Sequence, residues 1–184
     1  MSHPLTPRDL TQPITATDHC LGETHAPVTI VEYGDFECPT CKLAAPAVRL
    51  ILERFAGRVC FAYRHFPLEA VHPHALQAAE ASECAGAQGK FWAMHDLLFE
   101  NQLHLDAKHL YGYAQRLGLD LASFKAGMDD EVYRQRIREH IESGRSSHVR
   151  STPGFFVNGT IVDVSFGVHA LIDAVEARLQ RPPA

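Results

Sequence analysis

Apolar positions along this chain change period several times, and each change marks an element. Pro27–Tyr33 (Pro-Val-Thr-Ile-Val-Glu-Tyr) is almost continuously apolar and β-branched, the pattern of a strand buried on both faces. Leu43, Ala47, Leu50, Ile51 and Phe55 then recur at helical spacing, with Pro46 expected to kink that helix and Gly57 to end it. Val59–Phe66 predicts a second strand, Cys60 and Ala62 facing one way and Val59, Phe61 and Tyr63 the other. From His74 to about Arg145 the strand signature gives way to five helical segments: Ala75–Ala87, Lys90–Asn101, Ala107–Leu117, Leu121–Met128 and Glu131–Ser143. Breaks are expected at Gly86, Gly89, Gly118, Asp120 and Gly144. Strands return as Gly154–Val157 and Thr160–Val164, joined by Asn158-Gly159, the strongest short signal for a two-residue hairpin turn. Val168, Leu171, Ile172, Val175 and Leu179 mark one face of a closing helix, which Arg181-Pro-Pro-Ala184 should stop. At the front, Ile14 is expected to open a short edge strand and the first dozen residues to be loose.

Composition adds bounds to that pattern. With 184 residues, 46% of them hydrophobic and 21% charged, the chain predicts one domain with a real core. A formal net charge of −5 argues against general binding to nucleic acid or to an anionic membrane. No apolar run approaches the ~20 residues of a membrane span. The segment Met1–Leu10 lacks the basic patch and apolar core of a secretory signal, which leads to the expectation of a cytoplasmic protein. Five cysteines in a reducing compartment then read as thiols rather than standing disulfides.

The chemistry is concentrated in Asp35-Phe-Glu-Cys-Pro-Thr-Cys-Lys42, directly after the first strand. Residues three apart share a helix face, so the Cys38 and Cys41 sulfurs can meet. Pro39 suits the first helical position, where its missing N–H costs nothing. Cys38 would then be the N-cap, facing unpaired N–H groups and the positive end of the helix dipole, and both favour the thiolate. That makes Cys38 the nucleophile for disulfide exchange and Cys41, one turn deeper, the resolving thiol. Structural zinc needs four ligands, but Cys20, Cys60 and Cys84 are scattered singly and no H-E-x-x-H occurs; no metal site is expected. Each of the twelve histidines reads as solvated or locally capped, and Trp92, Phe91, Cys60 and Cys84 as packing residues.

The stretch from Val28 to Cys41 resembles the active-site segment of the DsbA-like branch of the thioredoxin superfamily. Arg64–Leu68, Lys90–Phe99 and Ser151–Gly159 resemble later landmarks of that family in the same order, so the likeness spans roughly residues 12–180. It implies an α/β, thioredoxin-like fold with a central mixed sheet, and an all-helical insertion between the second core strand and a cis-Pro hairpin. Residues 1–26 would be a lead-in, 27–72 and 146–181 the thioredoxin-like domain, and 73–145 the helical insertion. It further implies that Glu32 is the buried acid beneath the redox pair, moving protons to and from Cys41. An unpartnered carboxylate in so apolar a strand would otherwise be costly.

On base rates an X-Pro bond is cis in only ~5–6% of cases, so spacing alone makes Thr152-Pro153 trans. The resemblance implies cis, with Thr152 and Pro153, together with Pro39 and Thr40, seating an extended substrate. Ser151 and Gly154 depart from the family pattern at this peptide-binding lip. The implied function is a thiol–disulfide oxidoreductase, needing no cofactor, whose partners are protein or peptide thiols and disulfides, with glutathione or another thiol reductant. A cytoplasmic setting would favour reductase or isomerase duty. Two alternatives stay open: a peptide-binding, chaperone-like domain without redox turnover, and a glutathione-linked small-molecule enzyme on the same fold. The second usually keeps one active-site Ser or Cys, which the intact pair here opposes.

Overall fold

The structure is a computed structural model that describes residues 10–180. Most of the stretch expected to be loose, and the terminal Arg181–Ala184, lie outside the described residues. Among those described, five strands form one sheet: β1 (His19–Gly22), β2 (Val28–Gly34), β3 (Val59–His65), β4 (Gly154–Val157) and β5 (Thr160–Val162). The spatial order is β1-β3-β2-β4-β5, with β2 parallel to β3 and every other pairing antiparallel. Seven helices accompany the sheet: α1 (Pro39–Arg54), α2 (Ala75–Gly86), α3 (Phe91–Glu100), α4 (Ala107–Arg116), α5 (Leu121–Asp129), α6 (Arg134–Ser146) and α7 (His169–Leu179). The chain therefore has a thioredoxin-like α/β fold with a mixed sheet.

Alternation along β2 assigns its side chains to two cores. Val28 and Ile30 join a large cluster with α1, α2, α3 and α7, while Val31 and Tyr33 join a smaller one with Phe66, Val149 and Phe156. Glu32 shares the parity of Ile30 and so lies on the side that holds Cys38 and Cys41.

Four expectations change in detail. The edge strand forms at His19–Gly22 rather than at Ile14. Buried Arg64 holds the lead-in against the sheet: it donates to both Asp18 carboxylate oxygens at 2.8 and 2.9 Å, to the Gln12 and Pro13 carbonyls and to the Tyr33 hydroxyl. Such a bidentate pair fixes direction as well as distance. On α1 the buried positions are Cys41, Ala44, Val48 and Ile51; of the expected stripe Ile51 is buried, whereas Leu43 and Leu50 face solvent. The phase is set by the need to turn Cys41 inward, and Pro46 is accommodated inside the helix.

Gly144 does not break α6. A Cβ there would stand 2.7 Å from the Phe66 ring and 3.0 Å from Tyr33, so this glycine permits close helix–sheet packing. Finally, His65 and His95 are buried rather than solvated. His65 Nε2 pairs with Glu83 Oε1 at 2.8 Å, and Glu83 also takes bonds from His19 and Arg136, tying α2 and α6 to the sheet.

Candidate active site

The end of β2 delivers the chain to the mouth of α1. Gly34 allows this approach: a Cβ there would meet the Tyr63 ring at 2.4 Å. Asp35 then organises the turn from a buried position. Its Oδ2 accepts from the Leu68 N–H and from His72 Nδ1, and its Oδ1 from the Glu37 N–H, all at 2.8 Å. Its carbonyl accepts the Cys38 N–H at 3.1 Å. Gln102, in the loop after α3, donates to the carbonyls of Phe36 and Cys38, both at 2.8 Å. The turn that carries Cys38 is thus held from three sides. Asp35, His72 and Gln102 were not singled out from the sequence, because the bonds by which they tie distant segments to this turn span 33 to 66 positions along the chain.

Cys38 is the N-cap of α1 and Pro39 its first residue. Both cysteines are free thiols, Cys38 6% exposed and Cys41 fully buried. Cys38 Sγ lies 3.0 Å from Thr40 Oγ1 and 3.4 Å from the Thr152 carbonyl, which also accepts from Thr40 Oγ1 at 3.0 Å. The Thr152–Pro153 peptide is cis. Hydrogen bonds from the Cys41 side chain first, then from Thr152, Thr40 and the Cys41 N–H, favour the Cys38 thiolate, the Thr40 hydroxyl giving its one proton either to this sulfur or to the Thr152 carbonyl. They outweigh its burial and hold its pKa down at about 4. Cys41 moves the opposite way, well above the ordinary thiol range, through burial first and the neighbouring Cys38 and Glu32 charges after it. The two sulfurs of one motif therefore differ in kind: one is a thiolate at neutral pH, the other a thiol.

Glu32 sits beneath them, opposite Tyr63 of β3 and Phe155 of β4, 3% exposed. Burial, and secondarily the Cys38 thiolate, push its pKa up to about 8, so the carboxyl is largely protonated at neutral pH. Among the described residues no three His, Cys, Asp or Glu side chains gather as a metal site.

A depression of about 410 Å³ opens beside the sulfurs, with Thr40, Leu43, Thr152, Pro153, Val164 and Val168 in its walls. A second, of about 450 Å³, adjoins it across Ser151, Pro153, Val164 and Ser165. Leu43 is 72% and Phe166 90% exposed, so the rim offers apolar contact to an extended chain. Of the four residues expected to seat substrate, Thr40, Thr152 and Pro153 line this depression; Pro39 is exposed at the helix start and does not. Leu43 and Val164 were not expected here, since in sequence Leu43 marks a helical stripe and Val164 ends a strand.

A profile of the family described as Thioredoxin matches residues 14–177. Among curated proteins, the chain is 49% identical over 158 residues to Na(+)/H(+) antiporter NhaA 1 of Salinispora arenicola, a match covering 86% of this chain and 24% of that protein. The chain thus spans about a quarter of the length of the curated relatives it matches, and among the described residues no helix is long and apolar enough to cross a membrane. Among solved structures, oxidised BdbD from Bacillus subtilis is similar with a TM-score of 0.81 at 24% identity, covering 89% of this chain and 94% of that one. Wolbachia pipientis alpha-DsbA1 is similar with a TM-score of 0.78 at 21% identity, covering 94% and 95% respectively.

Proposed function

Because this chain belongs to the thioredoxin family and has a DsbA-like fold, we propose that it is a thiol–disulfide oxidoreductase acting on protein or peptide thiols through Cys38 and Cys41. The observation that carries this reading is the opposed acidity of two cysteines one helical turn apart, above a buried protonated carboxyl. The Cys38 thiolate attacks a substrate disulfide, forming one S–S bond and expelling a substrate thiolate. Cys41 then attacks the Cys38 sulfur of the mixed disulfide, closes the internal bond and releases the second substrate thiolate, while Glu32, once it has given up its own proton, takes the Cys41 proton. Run in reverse, the same steps oxidise a substrate dithiol. The stabilised thiolate favours the dithiol form, which makes the disulfide form a strong oxidant and moves the balance away from reductase duty. Glutathione or another small thiol or disulfide would complete the cycle.

Substrate enters as an extended strand over the depression beside Pro153. The Thr152 carbonyl, already an acceptor for Thr40, faces the Cys38 sulfur and can take a peptide N–H. A chaperone-like domain without turnover has no use for a thiol held at about 4, and a single-thiol transferase has none for Cys41.

The test is to trap the intermediate. With a peptide disulfide, Cys41→Ser should accumulate a mixed disulfide at Cys38, visible by mass, and Cys38→Ser should form none. Insulin reduction that persisted in Cys38→Ser would overturn the assignment.

A further inference from the structure

Behind the cysteines a second opening reaches the same carboxyl from the other side of α1. A narrow cleft of about 50 Å³ between α1 and α3 has Glu32, Ala45, Arg49, Trp92, His95 and Asp96 in its walls. It adjoins a surface depression of about 230 Å³ that shares Ala45, Arg49 and Asp96 with it. About 10–15 Å³ of such space suffices for one water, so the cleft can hold a short file of them.

Its polar groups are oddly unsatisfied. Glu32 Oε1 and His95 Nε2 are buried without a hydrogen-bond partner, as is the hydroxyl of Tyr63, which packs against His95 outside the cleft walls, whereas buried polar atoms in folded proteins are nearly always paired. The His95 ring meets Tyr63 edge-on at 4.9 Å. His95 Nδ1 lies 3.1 Å from Asp96 Oδ1, which leaves Nε2 as the free ring nitrogen. Asp96 is 40% exposed and bridges to Arg49 at 2.5 Å, at the outer end of the cleft. A buried carboxyl and an imidazole with one nitrogen bonded outward and one unoccupied thus share the walls of one cleft.

We propose that this cleft is the proton path of the redox site: His95, backed by Asp96, relays protons through water between solvent and Glu32. The inference deepens the exchange reading and rests on it. His95 acts through Glu32 and touches neither sulfur. As the dithiol prepares to close, the Glu32 proton passes to water, water protonates Nε2, and the ring releases its Nδ1 proton to Asp96 and then solvent. Glu32, now a carboxylate, takes the Cys41 proton as Cys41 attacks the mixed disulfide; the two electrons of the dithiol leave with the substrate thiolates. In the opposing half-reaction Cys41 departs as a thiolate, takes the proton from Glu32, and the relay runs inward, restoring the starting tautomer. The titratable and charged groups facing His95 are Asp96 on its own helix, Arg49 on α1, Glu32 on β2 and Tyr63 and His65 on β3. Burial keeps the imidazole neutral between transfers.

The experiment separates two steps in wild type, His95→Gln, His95→Ala and Asp96→Asn: alkylation of Cys38, and resolution by Cys41 of a mixed disulfide with a fluorescent peptide thiol. Alkylation should keep its pH profile in every variant. Resolution at neutral pH should slow by about 10²-fold in both His95 variants, the low end of a general acid–base contribution, and by less in Asp96→Asn. The residual rate should rise with buffer concentration, and free imidazole should restore it in His95→Ala, an effect that a packing defect would not give. Resolution at the wild-type rate in both His95 variants overturns the relay, as does a loss that neither buffer nor imidazole relieves. If the wild type itself forms no mixed disulfide, the exchange reading fails and the relay falls with it.

Discussion

Cys38 and Cys41 meet at the mouth of a helix; Cys20 and Cys60 meet across two antiparallel strands. On β1 and β3, Cys20 stands opposite Ala62 and Gly22 opposite Cys60, which puts both side chains on one face of the sheet and their thiols within hydrogen-bonding reach. Yet burial, and then its neighbour Cys60, push Cys20 up to about 12, and burial likewise raises Cys60. The difference lies in donors. Around Cys38 the Cys41 side chain leads, followed by Thr152, Thr40 and the Cys41 N–H at the open end of a helix, whereas strand N–H groups are spent on the ladder. Two sulfurs in contact are therefore not enough; an acidic thiol also needs unpaired donors aimed at it.

The largest test of this contrast is the pH dependence of folding stability in the dithiol form. The Cys38 pKa is depressed from 9.0 to about 4, so its stabilising contribution is present above pH 9 and lost as pH falls through 4. Glu32 is raised from 4.5 to about 8, so its contribution is complete below pH 4.5 and lost as pH rises through 8. The two oppose each other in the shared window, and wild-type stability should be nearly flat there. Glu32→Gln should become more stable with rising pH and Cys38→Ser less stable, each by at most about 1.4 kcal/mol per pH unit. Cys20→Ala should leave the curve flat. Denaturant melts at four pH values decide it, and parallel curves for the two site variants would break the comparison.

Next in size is alkylation by iodoacetamide at pH 6. The lower pKa gives Cys38 a thiolate fraction roughly 10⁶ above that of Cys20, against an intrinsic nucleophilicity roughly 10⁴ lower, leaving an advantage of about 10². Peptide mapping should find Cys38 modified first, and equal labelling of Cys20 would contradict the acidity argument. The smallest effect belongs to Thr40→Val. Removing one donor to a charged sulfur should raise the Cys38 pKa by about one pH unit, read from thiolate absorbance at 240 nm. An unchanged titration would assign the acidity to the helix mouth and the remaining donors alone.

Much of the fold was legible because period and punctuation act locally. The β2 run, the Asn158-Gly159 hairpin and the helices between β3 and β4 all announced themselves, and so did the cysteine pair with its proline. What stayed hidden depended on neighbours distant in sequence. Gly144 reads as a helix stop until Phe66 and Tyr33 are found against its Cα. Leu43 reads as core until Cys41 sets the phase of α1. His95 reads as one more solvated histidine until it stands buried beside Tyr63 and Phe36 with a nitrogen unoccupied.

The sequence by itself determined where two sulfurs stand together, since Cys-Pro-Thr-Cys at a strand-to-helix junction places them one turn apart with the first at the N-cap. Only the tertiary structure decided how acidic each sulfur is, where Thr152 falls relative to them, and which buried groups share a cleft with the Glu32 carboxyl. Those properties come from burial and from donors that other parts of the chain supply, and neither is written in local spacing.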